Sequence, residues 1–509
     1  MTLNALLAVL ALGAVFAVRW ARRSLTLWRE LMDVGLAYVW SQLKIVWLAG
    51  LMALITRRVL DPPLSVQPWA MTLGWLLFAI VIFRMRTPVM PPIQLERGTR
   101  VDSSGDTPTN AHAHLSVAGV EIHPDDETKH FKFIGTTGTG KSTAITELMD
   151  QALRRGDRAV IADPDGGYCR RWYCADQGDV ILNPFDARSA HWDLYRELKN
   201  IMDYDSLAQA LIPGVGRSDA VWSAYARVFL SELLKRTHHV GIGHLSELLR
   251  LVQVASRNEL RVLLQATPAA PFLEDGNERM FSSIRSVCMS ALSALQYLPA
   301  PHERAFSVRD WVGSSSRALY LPYHANEISS LKTLISTWMR LVIDATLSRG
   351  FAQSRVWFVV DELDALGAID GLKDALVRLR KHGGCCVLGF QSIGQLVGTY
   401  GEQDAKTIGE NCATTLILRC SGSGPGGTAR YGQELIGERQ VLRRHEASTR
   451  PRWFGGMGGL GGRSVSQSWQ RNIEPAVLAS EIEQLPDLQG FLKTAVTPYW
   501  RRVRLQPPS

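Results

Sequence analysis

The 509 residues suffice for two to four domains, and 46% hydrophobic with 20% charged residues fits globular parts together with some membrane. Seven cysteines without a C-x-x-C pair argue against a disulfide-stapled secreted scaffold and leave reduced thiols as the reading. The net charge of +8 permits a nucleic-acid or membrane-surface partner but selects neither, because cytoplasmic loops of membrane proteins are basic in any case.

Residues 1–86 are expected to form a transmembrane region of two to three helices. Thr2–Val18 carries no charge and is followed by Arg19, Arg22 and Arg23, without the n-region or cleavage site of a removable signal. Leu64–Phe83 is twenty uncharged residues, enough to cross about 30 Å of hydrocarbon as a helix. Val34–Thr56, interrupted by Lys44, is the weaker candidate. Arg84 and Arg86 close the last span and place the rest of the chain in the cytoplasm by the positive-inside rule. Residues 87–128 read as a polar, proline-bearing linker and the start of the next domain, with a short strand pair over Ala113–Ile122. His112 and His114 have no third ligand nearby and read as solvated turn residues.

Residues 129–192 carry the first motif. Gly135, Thr136, Thr137, Gly138, Thr139, Gly140, Lys141 and Ser142 spell G-x-x-x-x-G-K-S/T, between the apolar run Phe131–Ile134 and the helical stretch Thr143–Leu153. Strand, glycine-rich loop and helix is the context such a loop requires to bind ATP or GTP. Backbone N–H groups turn inward around phosphate oxygens, Lys141 reaches the β- and γ-phosphates, and Ser142 ligates Mg²⁺. Thr143, next in line, closes the nucleotide-binding set. Arg158–Ala162 is a further strand ending at Asp163, a residue suited either to ordering Mg²⁺ or water or to capping a turn. Val180–Leu182 is another short strand.

Residues 193–309 lose the strand pattern and are expected to be an inserted all-α domain. Ser218–Arg236 sets Trp222, Tyr225, Phe229 and Leu233 at helical spacing, an aromatic face better suited to helix core than to base stacking. Leu245–Val254, Asn258–Leu264 and Glu278–Leu298 continue as helices.

Residues 310–509 return to strand and helix. In Val356–Glu362 an apolar run ends in two carboxylates, as a buried central strand does when it delivers them at its C-terminal end. Asp361 is assigned to Mg²⁺ through water and Glu362 to polarising the attacking water as general base. The next strand, Cys385–Phe390, runs into Gln391, placed either to sense the γ-phosphate or to cap the following helix. Upstream, Arg378, Arg380 and Lys381 crowd a helix end. They favour the helix C-terminus there, or one of them reaches a neighbouring subunit's nucleotide as an arginine finger. Thr414–Arg419, Gly490–Val496 and Val503–Leu505 are expected strands, and the glycine- and arginine-rich run Arg443–Gly462 a mobile loop able to touch phosphates without reading sequence.

Val356-Trp-Phe-Val-Val-Asp-Glu-Leu, Arg380-Lys-His-Gly-Gly with Gly389-Phe-Gln-Ser, and Leu182-Asn-Pro-Phe-Asp-Ala-Arg with Trp192-Asp-Leu resemble conjugative coupling proteins. These are the TraD/TrwB group of type IV secretion ATPases, themselves similar to FtsK-type motors. The resemblance runs from about Lys129 to the C-terminus. It implies an α/β, RecA-like P-loop nucleotide-binding domain with an inserted all-α domain and N-terminal transmembrane helices. It further implies a hexameric ATP hydrolase of the bacterial inner membrane, multi-pass, with its ATPase domain in the cytoplasm. Its partners would be relaxase-bound, single-stranded DNA, the relaxase and inner-membrane components of the secretion system. Lys141, Ser142, Asp361, Glu362 and Gln391 fall on the family's nucleotide-site positions, and Arg380 on its trans-acting arginine. The long acidic tail of some TraD proteins has no counterpart before Ser509, so relaxosome recognition through such a tail is not expected. The rival readings are an FtsK-type double-stranded DNA pump, which expects a C-terminal winged helix, and a non-hydrolysing receptor for protein effectors. An ABC transporter is disfavoured because L-S-G-G-Q is absent.

Overall fold

A computed structural model describes residues 94–102, 115–214, 220–299, 305–314, 317–350, 354–449 and 464–507. The expected spans, His112, His114 and residues 450–463 lie outside them. Among the described residues no helix is long and apolar enough to cross a membrane.

The chain enters through β1 (Gln94–Gly98), β2 (Val101–Asp102), β3 (Ser116–Val117) and β4 (Val120–Glu121). The apolar runs of the sequence then supply β5 (Phe131–Ile134), β6 (Arg158–Pro164) and β7 (Val180–Ile181). After the helical insertion come β8 (Ala318–Tyr323), β9 (Val356–Val360), β10 (Gly384–Phe390) and β11 (Thr414–Ile417). The last strands are β12 (Glu438–Thr449), β13 (Ser464–Pro475), β14 (Gln489–Lys493) and β15 (Trp500–Arg504).

Ten of these strands form one sheet in the order β2-β15-β14-β11-β5-β10-β9-β6-β8-β7. From β11 to β7 every pairing is parallel, whereas β14 is antiparallel to both β11 and β15. Parallel strands are covered on both faces, which is why β5, β9 and β10 read as unbroken apolar runs and are buried throughout.

Alternate residues of those strands feed two cores. Phe131, Phe133, Trp357, Val359 and Val387 pack on one side with Ile145, Leu148 and Met149 of helix α1 (Lys141–Arg155). Ile134, Phe358, Val360, Leu388 and Phe390 face the other core, which is continuous with the inserted helices. Each such side chain stabilises the fold by roughly 1.5–3 kcal/mol on full burial, so these two layers fix the sheet and the loops at its C-terminal edge.

Helix α2 (Gly167–Trp172) follows β6. The insertion contains α3 (Ile201–Leu211), α4 (Ala220–His239), α5 (Leu245–Gln253), α6 (Arg257–Leu263) and α7 (Glu278–Leu292). On α4 the buried stripe is Ala226, Phe229, Leu230, Leu233 and Leu234, while Tyr225 is exposed. Tyr225 nonetheless leans on Trp222 and Phe272, so the expected four-residue face splits into a core half and a surface half.

The two connections of the insertion meet in one clasp. Trp192 and Phe306 pair as a parallel bridge. Fully buried Glu197 accepts from Trp192 Nε1 (2.8 Å), Val308 N (2.6 Å), Arg309 N (3.1 Å) and Ser307 Oγ (3.2 Å). A buried carboxylate is tolerated where donors replace its hydration. Four of them here join the exit and the return of the chain.

One expectation is corrected. The composition of Arg443–Thr449 points to a mobile loop, but β12 runs from Glu438 to Thr449 and pairs antiparallel with β13 over twelve residue pairs, with β1 on its other edge. The strand is held by backbone ladders and by arginine–carboxylate contacts such as Arg439–Glu474 (2.9 Å). Among its described side chains only Val441 is buried, so it lacks the apolar alternation by which strands are read from sequence.

Candidate active site

The loop after β5 opens at the C-terminal edge of the parallel strands. Gly135 N donates to Phe390 O (3.3 Å) and Thr136 N to Arg419 O (2.9 Å), tying it to the ends of both neighbouring strands. Gly140 caps α1 with φ 118°, a conformation for glycine, and a Cβ there would lie 2.9 Å from Leu505 and 3.0 Å from Leu488. Leu488 N in turn donates to Thr139 O (3.0 Å), so the closing segment of the chain braces the loop from outside.

β5 and β9 lie on either side of β10, so three strand ends converge: Gly135 after β5, Gln391 after β10 and Asp361 after β9. Gly389 makes the convergence possible, since a Cβ there would fall 2.2 Å from the Asp361 carbonyl oxygen.

The motif residues contact one another directly. Ser142 Oγ donates to Asp361 Oδ2 at 2.6 Å across a sequence separation of 219 residues. Lys141 Nζ donates to Gly135 O (2.7 Å) and Thr136 O (3.4 Å). Thr137 Oγ1 donates to Gln391 Oε1 (2.9 Å), and Gln391 Nε2 donates to Glu362 Oε1, forming a relay from loop to carboxylate. Thr139 Oγ1 closes the loop on Thr136 O (2.7 Å). Gly138 turns it with φ 78°. Thr143 is the third residue of α1.

Electrostatics follow from burial. Desolvation lowers the Lys141 pKa against the opposing pull of Asp361, Glu362 and Asp364. Desolvation raises the pKa of Glu362, opposed by the Gln391 hydrogen bond. Asp364 is likewise raised by burial. Asp361 Oδ1 and Asp364 Oδ1 are buried without a hydrogen-bond partner. Hard oxygen donors beside a serine hydroxyl are what Mg²⁺ takes, with waters and phosphate oxygens completing an octahedron. The residues present therefore fit Mg²⁺.

Asp163 takes the second of its two expected roles. It is fully buried, and its oxygens accept from Tyr168 N (3.1 Å) and Cys169 N (2.6 Å), capping α2. Burial lifts its carboxyl to about 6.

Arg380 lies apart from this assembly. It sits in the 3₁₀ turn Leu379–His382, directly before β10, at the opposite edge of the sheet. The adjoining landmark is His130, just before β5, which bonds Leu376 O (2.7 Å) and Cys386 N (3.1 Å). Burial holds this imidazole at about 4, the Arg380 charge adding to the effect. The seven residues of β10, at about 3.3 Å each, separate Arg380 from the Gln391 end by roughly 20 Å. Arg378, Arg380 and Lys381 are exposed, and none has an ion-pair partner among the described residues.

Three residues at the site were not singled out in the sequence: Tyr168, Tyr323 and Asp364. Tyr168 OH donates to Asp361 Oδ2 (2.7 Å). Tyr323 ends β8, its hydroxyl buried and unpartnered beside the carboxylates. Asp364 follows the acidic pair by two residues, and the extra carboxylate in Asp-Glu-Leu-Asp was the one signal available.

Comparison with known proteins agrees with this geometry. The profile of the type IV secretion-system coupling protein DNA-binding domain matches residues 114–506. Coupling protein TraD of Escherichia coli (strain K12) is 32% identical over 396 residues, covering 76% of this chain and 53% of TraD. Coupling protein VirD4 of Bartonella henselae is 27% identical over 296 residues, covering 53% of this chain and 44% of VirD4. The chain thus spans about half the length of the curated relatives it matches. Among solved structures, the conjugative coupling protein TrwBdeltaN70 superposes with a TM-score of 0.73 at 30% identity, over 82% of this chain and 95% of that one. TrwB in complex with ADP and Mg²⁺ gives 0.71 at 30% identity, over 82% and 95%. TrwB with a non-hydrolysable ATP analogue gives 0.72 at 30% identity, over 82% and 96%. These likenesses establish a RecA-like α/β fold with a mixed sheet.

Proposed function

This chain belongs to the type IV secretion-system coupling proteins, and on that footing we propose that it is a membrane-anchored ATPase that drives DNA into a secretion channel. The supporting likeness is to coupling proteins throughout, including TrwB bound to ADP with Mg²⁺ and to an ATP analogue. Residues 1–86 would hold it in the bacterial inner membrane by two or three helices, with the remainder in the cytoplasm. Copies would assemble into a hexamer with ATP between subunits. Residues 193–309 would engage the substrate, single-stranded DNA carrying its relaxase, before delivery to the inner-membrane components of the secretion system.

In this reading each motif residue has one task. The loop amides of Gly135–Thr143 cradle the phosphates, and Lys141 exchanges the Gly135 and Thr136 carbonyls for β- and γ-oxygens. Ser142 and Asp361 would hold Mg²⁺. When bound, Mg²⁺ neutralises charge on the phosphate oxygens. Glu362 accepts the proton of the attacking water at its carboxylate, a task favoured by burial that raises its basicity. Gln391 bridges Thr137 and Glu362, so it registers whether the loop is filled. Arg380 of the next subunit offsets charge at the γ-phosphoryl group.

The observation that carries this reading is the 2.6 Å bond from Ser142 to Asp361, which fuses two remote motifs into one site beside a buried oxygen left without a partner. Lys141→Ala in the full chain should lower ATP turnover by at least about 10²–10³-fold, as loss of one preorganised donor does. A coupled phosphate-release assay measures it, and turnover equal to that of the unaltered chain would contradict the reading.

A further inference from the structure

Tyr168 is buried against the site but absent from the roles just assigned. It stands on a helix only six residues long, and that helix is fixed at both ends. Asp163 caps its start through Tyr168 N and Cys169 N. At its end Trp172 Nε1 and Arg171 Nη2 both donate to Asp150 on the phosphate-loop helix α1. The Tyr168 ring stacks on Trp172 with centroids 5.3 Å apart and planes 10° from parallel. The hydroxyl is therefore held in place from three directions, and it is aimed at Asp361.

Asp361 Oδ2 receives two hydroxyl donors, Ser142 Oγ at 2.6 Å and Tyr168 OH at 2.7 Å. Asp361 Oδ1 receives none, though it is buried. With one oxygen occupied twice, the carboxylate cannot rotate freely, and the unpartnered oxygen keeps a fixed direction. A hydroxyl can donate its proton and still offer a lone pair. Ser142 can thus face a cation while bonded to Asp361, and the Tyr168 hydroxyl, donating to the same Oδ2, orients that carboxylate. Groups in this outer position typically set metal affinity by about 10–100-fold.

We propose that Tyr168 is a positioning residue for the divalent cation: its hydroxyl locks Asp361 so that Oδ1 is presented to the metal's water. This inference rests on the nucleotide-site reading above. Tyr168→Phe keeps the ring and its stack on Trp172 and removes only the donor. Mn²⁺ prefers the same octahedral oxygen ligands as Mg²⁺ and is visible by electron paramagnetic resonance. It would be titrated into the full chain with a non-hydrolysable ATP analogue. Tyr168→Phe should weaken Mn²⁺ binding by about 10–100-fold and leave the analogue's affinity in chelator unchanged. Mn²⁺ affinity of Tyr168→Phe within threefold of the unaltered chain, with analogue bound by both, would overturn this inference alone. Failure of the unaltered chain to bind analogue or Mn²⁺ would overturn the nucleotide-site reading and this inference with it.

Discussion

Arg380→Ala should lower ATP turnover by about 10³–10⁵-fold, the range in which an arginine finger acts, while nucleotide affinity stays near that of the unaltered chain. The reason is positional. Arg380 stands before β10 and the phosphate loop opens after β5, at the other edge of the sheet. No rotamer of a side chain closes the roughly 20 Å that a seven-residue strand interposes, so Arg380 is out of reach of its own subunit's nucleotide. It is exposed and has no carboxylate partner among the described residues, which suits a cation whose partner is on another chain. Arg380→Lys should recover only part of the loss, because an ammonium lacks the planar fork that meets two phosphoryl oxygens. Steady-state turnover and analogue binding measured on the same preparations separate the two effects. Turnover within tenfold of normal would reduce Arg380 to a cation at the end of the helix Leu372–Arg378.

Glu362→Gln should cost about 10²–10⁴ in turnover, the usual contribution of a general base, and should leave bound ATP uncleaved. The substitution preserves size and removes the basic oxygen that now accepts from Gln391 Nε2. The carboxyl's pKa lies above its ordinary value because the site is desolvated. A base works only when deprotonated, so the acid limb of the turnover profile should lie above the usual carboxylate range, with activity lost as pH falls through it. A single-turnover chase with labelled ATP across pH reads both effects. A Glu362→Gln chain that cleaves ATP at the normal rate would assign the base elsewhere, with Asp364 the nearest candidate by burial and charge.

The two motifs were legible because each is local. A glycine-rich loop between an apolar strand and a helix declares its backbone shape within fifteen residues, and an apolar run ending in Asp-Glu declares a buried strand tip. That Gln391 lies between them follows from β10 separating β5 and β9, which the chain order alone does not give. Tyr168 was missed for a related reason. Its significance depends on Asp361, 193 residues later, and the Gly-Gly-Tyr in which it sits has the look of an ordinary turn. Asp163 carried two readings in the sequence, and two backbone donors at 2.6 and 3.1 Å select the cap.

The β12–β13 hairpin was missed because its described side chains include just one buried apolar residue, Val441, and its sheet is made by backbone pairing. Composition marked Arg443–Gly462 as unable to build a core, yet a ladder needs no core of its own when a third strand, β1, supplies a second edge. On α4, by contrast, helical spacing placed Phe229 and Leu233 in the buried stripe, whereas Trp222 is half-buried and Tyr225 exposed against Phe272.

The central claim is that a lysine and an acidic strand from one chain, with an arginine from its neighbour, make one hydrolytic site. The most direct test is ATP turnover in an equimolar mixture of Lys141→Ala and Arg380→Ala chains, each nearly inactive alone. About one interface in four of a randomly assembled head-to-tail ring would then join an intact Lys141 site to an intact Arg380. The account predicts that activity reappears on mixing. A mixture no more active than its two components would contradict it.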